Sequence, residues 1–314
     1  MRNLIFILLF FPLLVFSQKI KRKCISQDKE IIVNTCKIHG TLLSPKKKKQ
    51  DKHTLVIIVA GSGPTDRNGN NPQLKNNSLK LLAEGLCLEG YSSFRYDKRM
   101  IGESVDTTIK EKDLRFDTYI NDLVSIVNFF RDSLNYSNIV LAGHSEGSLI
   151  AMIASQKTKV KKFISLNGAG YSADEILKKQ LKDNKAIKAD AYKIIDILKS
   201  GNKPDTIPDK LKVLFRKSVQ DYLISWFKYD PANEISKLKI PALIIQGTTD
   251  IQVDTNDAKR LHSAYPKSKL IIIDGMNHIF REVSSNYLEN LKTYYNPELP
   301  LHKELIKEIV QFLN

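Results

Sequence analysis

The sequence predicts an α/β protein with a mostly parallel sheet flanked by helices, and three observations predict it. Short apolar runs alternate with amphipathic helical segments along most of the 314 residues, and strands alternating with helices imply parallel pairing through right-handed crossovers. One run, "HTLVIIVAGSGP" (53–64), is consecutively apolar and β-branched, as a strand covered on both faces must be. From Gly170 to about Tyr229 the alternation stops, and Lys-rich amphipathic helices follow one another without strands. That block reads as a helical cap inserted over one edge of the sheet.

Each element has a local reason. "EIIVNTCKIHGTLLSP" (30–45) alternates weakly and reads as two antiparallel edge strands. The strand at 55–60 follows, then a helix over 79–90 ending at Gly90, and a strand over 91–97. The segment 117–134 places Ile120, Leu123, Val124, Val127 and Leu134 on one helical face, with Asp117 as the expected cap. A strand at 138–142, a helix at 148–156 and a strand at 160–166 lead into the cap. Alternation resumes with a strand at 239–247, a helix at 254–265, a strand at 268–275 and a final helix at 298–313 opened by Pro300. The expected division is a core of 18–169 and 230–314 and a cap of 170–229.

The chain opens with Arg2 and 13 residues, Leu4 to Phe16, that are apolar throughout. This is short for a membrane span, which needs about 20 residues. With Val15-Phe16-Ser17 it fits a secretory signal, residues 1–17, cut near Ser17/Gln18; the alternative is an uncleaved anchor. The expectation is an exported protein, periplasmic or secreted, without stable membrane insertion after cleavage. Net charge is +15, spread as single lysines apart from the run Lys46–Lys49. Basic residues interleaved with aromatics on one face, as nucleic-acid binding requires, are missing. An exported chain can pair Cys24 with Cys36 and leave Cys87 over; none of the three reads as catalytic. His39, His53, His262 and His302 lack metal-ligand spacing, so no metal is expected.

The chemistry gathers at "NIVLAGHSEGSLIAMIAS" (138–155), where Gly143-His144-Ser145-Glu146-Gly147 forms the corner between a strand and a helix. A serine hydroxyl is a poor nucleophile at neutral pH and needs a base, and the base needs an orienting acid. The serine must also stand clear of the backbone. A sharp strand-to-helix turn achieves this but crowds its neighbours, and glycines at −2 and +2 relieve the crowding. Gly143 and Gly147 therefore read as the nucleophile elbow around Ser145. The helix N-terminus then faces any negative charge that forms there. Partners should follow strands later in the chain, acid then base. Asp250 follows the strand over 241–246 and His278 the strand over 270–274. Asp254 and Asp257 compete for the acid, but their place at the start of the next helix favours capping. His144 should point away from the serine. The oxyanion donors are expected to be the backbone N–H groups of Glu146 and, from the glycine-rich loop 61–70, Ser62.

These residues resemble the α/β-hydrolase superfamily, and more narrowly a bacterial esterase and serine-aminopeptidase-like branch. The resemblance is carried by "AGSGPTDRNGN" (60–70), "FRYDKRMIGES" (94–104), "LAGHSEGSLIA" (141–151), "WFKYDPANEISKLKIPALIIQGTTDIQV" (226–253) and "IIIDGMNHIFRE" (271–282). It implies a sheet of about eight strands, a Ser-His-Asp triad at Ser145, His278 and Asp250, no cofactor, and hydrolysis of small-molecule esters, sometimes amides or thioesters. One departure stands out: Met100 replaces the glycine that the family places after Asp-x-Arg. Asp97 and Arg99 read as braces of that loop. The leading expectation is an exported carboxylesterase. The alternatives are a peptidase or amidase with the same triad, anchoring an amino end on a cap glutamate such as Glu175, and a non-catalytic binding protein. Tyr222, Trp226 and Phe227 either line the pocket or pack the cap onto the sheet.

Overall fold

The computed structural model describes residues 20, 22–47 and 54–314. The expected signal, Lys48 and Lys49 of the basic run, and His53 lie outside the described residues. Eight strands form one sheet in the order β1-β2-β4-β3-β5-β6-β7-β8. They are β1 (Cys24–Val33), β2 (Cys36–Pro45), β3 (Thr54–Val59), β4 (Ser92–Tyr96), β5 (Asn138–His144), β6 (Lys162–Leu166), β7 (Ala242–Gly247) and β8 (Lys269–Ile273). β1 with β2 and β2 with β4 pair antiparallel; the remaining neighbours pair parallel.

All six residues of β3 are buried, and strand periodicity divides them between two apolar layers. Leu55, Ile57 and Val59 face the helices Phe116–Asp132 and Glu146–Lys157. Val56 and Ile58 face the helices Ser78–Leu88 and Lys303–Leu313 on the opposite side. The chain between β6 and β7 carries the helices Ala173–Leu181, Lys188–Lys199, Lys212–Phe215, Gln220–Trp226 and Pro231–Ser236. The first four share an apolar cluster of their own, with Ile195, Leu211, Phe215 and Phe227 at its centre. Trp226 stacks on Phe116 at 5.7 Å between ring centroids and seats this block on the core. Among the described residues no helix is long and apolar enough to cross a membrane.

Four expectations need correction. Cys24 is bonded to Cys87, not to Cys36, which is a buried free thiol. In the β1–β2 ladder Cys24 lies opposite Pro45 and Cys36 opposite Val33. Two positions at opposite ends of a ladder stand roughly 30 Å apart at 3.3 Å per residue. Their side chains also join different apolar layers. Asp117 is not a cap: the helix begins at Phe116 with Arg115 extended before it, and the Asp117 carboxylate accepts the Tyr229 hydroxyl instead. On that helix Ile120, Leu123 and Val127 are buried, while Leu134 lies past its end, 37 % exposed. Pro300 does not open the last helix, which begins at Lys303 with His302 as its cap.

Candidate active site

The corner after β5 folds as its glycines require. Ser145 holds φ 54 and ψ −123, immediately before the helix Glu146–Lys157. Positive φ is strained for any residue with a side chain, and neighbouring backbone encloses the turn. A Cβ on Gly143 would lie 2.1 Å from the Gly147 carbonyl oxygen. A Cβ on Gly147 would lie 2.4 Å from the Val59 carbonyl oxygen at the end of β3. Neither position tolerates a side chain. The Ser145 N–H donates to the Leu166 carbonyl at 3.0 Å, which ties the turn to the end of β6.

Asp250 and His278 come together after β7 and β8. His278 Nδ1 lies 2.7 Å from Asp250 Oδ2, with both side chains almost wholly buried. A carboxylate offers only lone pairs, so Nδ1 is the donor and Nε2 is left free to accept a proton. Asp250 is fixed by three further donors: the Gln252 and Val253 N–H groups on Oδ1, at 2.8 and 3.0 Å, and Gln246 Nε2 on Oδ2 at 3.1 Å. Asp254 caps the helix Thr255–Ala264, accepting from the Asn256 N–H. Asp257 accepts the Gly170 N–H at 2.9 Å. Neither joins the histidine. The Ser145 hydroxyl has no hydrogen-bond partner among the described residues; serine–histidine contacts of this kind often close only when substrate is bound.

Ser145, Glu146 and Ser62 line one cavity of about 700 Å³ between the sheet and the helical insertion. Glu146 is the first residue of its helix, so its N–H has no intrahelical acceptor. Tyr222 and Trp226 both line this cavity and pack against Phe116, whereas Phe227 is buried inside the insertion. Met100 also lines it, at φ 69. Asp97 and Arg99 are braces. Asp97 accepts the Arg67 N–H and side chain, and Arg99 is forked onto Asp122 and bonded to Asp106. Glu175 forms a capping box with Ser172.

Four features escape a reading of the chain. The His144 Nε2 lies 2.8 Å from the His278 carbonyl oxygen. Burial, with the neighbouring imidazole of His278 adding to it, lowers the His144 pKa to about 3. It is therefore neutral, and it braces the base's backbone. Asn167 donates to the Asn277 and His278 carbonyls, each at 3.0 Å, and accepts the Gly247 N–H at 3.0 Å. One buried amide thus links the loop of the acid to the loop of the base. The third feature is a buried ion pair, Lys98 Nζ to Glu146 Oε2 at 2.7 Å. The fourth is the Tyr222 hydroxyl, which donates to the other Glu146 carboxylate oxygen. The one hint in the chain is the run Asp97-Lys98-Arg99, three consecutive charges after a strand, each at most 4 % exposed.

Comparison with known proteins agrees with this architecture. The profile of the BD-FAE family matches residues 42–265, a stretch that includes Ser145 and Asp250 and stops before His278. Esterase EstD of Thermotoga maritima is 25% identical over 296 residues, covering 91% of this chain and 67% of its own length. The AB hydrolase superfamily protein YisY of Bacillus subtilis is 26% identical over 186 residues, covering 52% of this chain and 66% of its own. Among solved structures, Est1E of Butyrivibrio proteoclasticus with ferulic acid bound superposes with a TM-score of 0.58 at 19% identity, over 90% of this chain and 98% of that one. The Pyrococcus furiosus esterase Pf2001 gives 0.57 at 18% identity, over 92% and 89%.

Proposed function

We propose the following chemistry for this chain, which belongs to the BD-FAE family of α/β-hydrolase esterases. Ser145 Oγ attacks the carbonyl carbon of a carboxylic ester while its proton passes to His278 Nε2. Asp250 holds the imidazole by Nδ1–H and stabilises the imidazolium that forms. The Ser62 and Glu146 N–H groups receive the oxyanion. Collapse breaks the ester C–O bond, and His278 returns the proton to the departing alkoxide. A water molecule then releases the acid by the same route, regenerating the serine.

The observation that carries this reading is the buried 2.7 Å His278–Asp250 pair, together with a strained Ser145 at the cavity wall. The aromatic lining from Tyr222 and Trp226 suits an acyl or alcohol group with an apolar, planar part. Export is part of the proposal. It is supported by the apolar leader and by the Cys24–Cys87 bond, since disulfides persist in oxidising compartments. Protein recovered from the periplasm or medium should lack residues 1–17 by intact mass; an unprocessed N-terminus there would contradict export by cleavage.

The test of the chemistry is a panel of p-nitrophenyl esters of graded acyl length, methyl ferulate and aminoacyl anilides, on the parent enzyme and on Ser145→Ala. Ester turnover should fall at least about a thousandfold in the variant, with the far-ultraviolet spectrum unchanged. Anilides should be poor substrates for the parent, because Glu175, one of the cap glutamates that could anchor an amino end, is engaged as a helix cap. Faster cleavage of anilides than of esters would favour the peptidase alternative.

A further inference from the structure

We propose that Lys98 is a positioning residue that fixes the oxyanion hole, by holding the Gly61–Ser62 peptide with its N–H toward the nucleophile. The proposal rests on the reading above, in which Ser62 and Glu146 supply the hole.

The side chain of Lys98 is 2 % exposed. Its ammonium donates to the Gly61 carbonyl at 2.7 Å and to Glu146 Oε2 at 2.7 Å, and it lies 4.9 Å from the centre of the Tyr119 ring. The Gly61 carbonyl and the Ser62 N–H belong to one peptide unit, and no peptide among the described residues is cis. In a trans peptide these two groups point in opposite directions. Anchoring the oxygen on Lys98 therefore aims the Ser62 N–H away from the lysine. That N–H has no acceptor among the described residues, and Ser62 lines the cavity beside Ser145. A Cβ on Gly61 would lie 3.1 Å from Ser145 Cβ, so the chain at Gly61 runs close against the nucleophile.

A lock is needed here because glycine rotates freely about both backbone dihedrals, and a flip of the peptide would present a carbonyl oxygen to the developing oxyanion. Stability alone gives no reason for a lysine at this place. Burying an ion pair carries a desolvation cost for each ion, and an apolar residue of similar shape often does as well. Glu146 completes the device. Its N–H is the other donor, and its carboxylate holds Lys98 while accepting the Tyr222 hydroxyl from the helical insertion. Both donors are thus fixed through one buried ion pair, and the insertion is bonded to it.

The test uses Lys98→Met and the double variant Lys98→Met/Glu146→Gln, which leaves no orphaned charge. Four quantities are measured: kcat, KM, affinity for an alkylboronic acid that mimics the tetrahedral adduct, and the unfolding temperature. Loss of one oxyanion donor lowers kcat about 100-fold or more. The double variant should lose kcat and boronic acid affinity together, by about that factor, with KM within about threefold. A folded double variant that keeps both quantities within about threefold overturns the proposal. So does one that loses kcat but keeps its boronic acid affinity.

If the charge-free variants do not fold, Lys98→Arg serves. Its planar fork keeps an ion pair with Glu146 but cannot reproduce the position of the ammonium on the Gly61 oxygen. It should lose kcat and boronic acid affinity together by at least tenfold, and unchanged kcat overturns the proposal. Equal boronic acid affinity in the parent and in Ser145→Ala would overturn the nucleophile assignment, and the role of Lys98 with it. A null result confined to Lys98 overturns only the lock.

Discussion

Ser145 and Met100 both stand at positive φ, 54 and 69, and only the first was legible in the chain. The elbow is written in adjacent residues, because two glycines are needed where backbone approaches backbone. Asp250 and His278 were legible because each follows a strand. Met100 occupies a left-handed position, which costs roughly 1–2 kcal/mol for a residue with a side chain. Met100→Gly should leave stability within about 1 kcal/mol, as relieved strain offsets lost packing. It should also raise kcat/KM for bulkier esters relative to acetate, because Met100 lines the cavity; an unchanged preference would show that Met100 does not restrict the pocket. His144 and Asn167 escaped reading because their partners lie more than 70 residues away, and no spacing encodes such a contact. His144 carries a pH prediction. Its folded pKa of about 3 lies below the ordinary 6.5, so between these values the unfolded chain binds more protons and stability falls as pH falls. From pH 7 to 4.5 the site should cost about 3 kcal/mol. His144→Gln keeps a donor for the His278 carbonyl and removes this titration. Urea unfolding of parent and variant should converge by about that amount at pH 4.5, and parallel curves would contradict the assignment.

At the level of elements, period and burial carried the reading. β3, β5 and β7 were found because consecutive apolar residues mark strands covered on both faces. The start of β1 at Cys24 was missed, since "CISQD" is polar and mostly exposed and is held by its ladder with β2. Helix starts were the weakest point. Asp117 and Pro300 have the right chemistry for a first turn, but Phe116 and His302 are fixed by tertiary contacts: the Phe116 N–H on Ser225 Oγ at 2.7 Å and the His302 N–H on the Phe280 carbonyl at 2.7 Å. The disulfide depends on register, which composition does not reveal. It joins β1 to the helix Ser78–Leu88 across 63 residues. Cys24→Ser/Cys87→Ser should therefore cost about 4 kcal/mol on the chain-entropy estimate, measured by urea unfolding. Thiol titration of the unfolded, unreduced chain should find one free cysteine, Cys36. A peptide map showing Cys24 linked to Cys36 would contradict the pairing.

Across the whole molecule, the sheet brings the loops after β3, β5, β7 and β8 to one rim, and the helical insertion roofs the resulting cavity. This follows the general rule that ligands of parallel sheets sit beyond the C-terminal ends of the strands. The alternation of elements made that rim legible. The shape of the cavity was not legible, because it depends on how a block with its own apolar cluster seats on Phe116 and the Lys98–Glu146 pair. The central claim is that Ser145, far from His278 in sequence, is the nucleophile that His278 activates. A fluorophosphonate probe tests it most directly, applied to the folded protein with the adduct mapped by peptide mass. The account predicts a single adduct on Ser145, lost in Ser145→Ala and slowed at least a hundredfold in His278→Ala. An adduct on another serine, or an unlabelled Ser145 in protein that still hydrolyses esters, would contradict it.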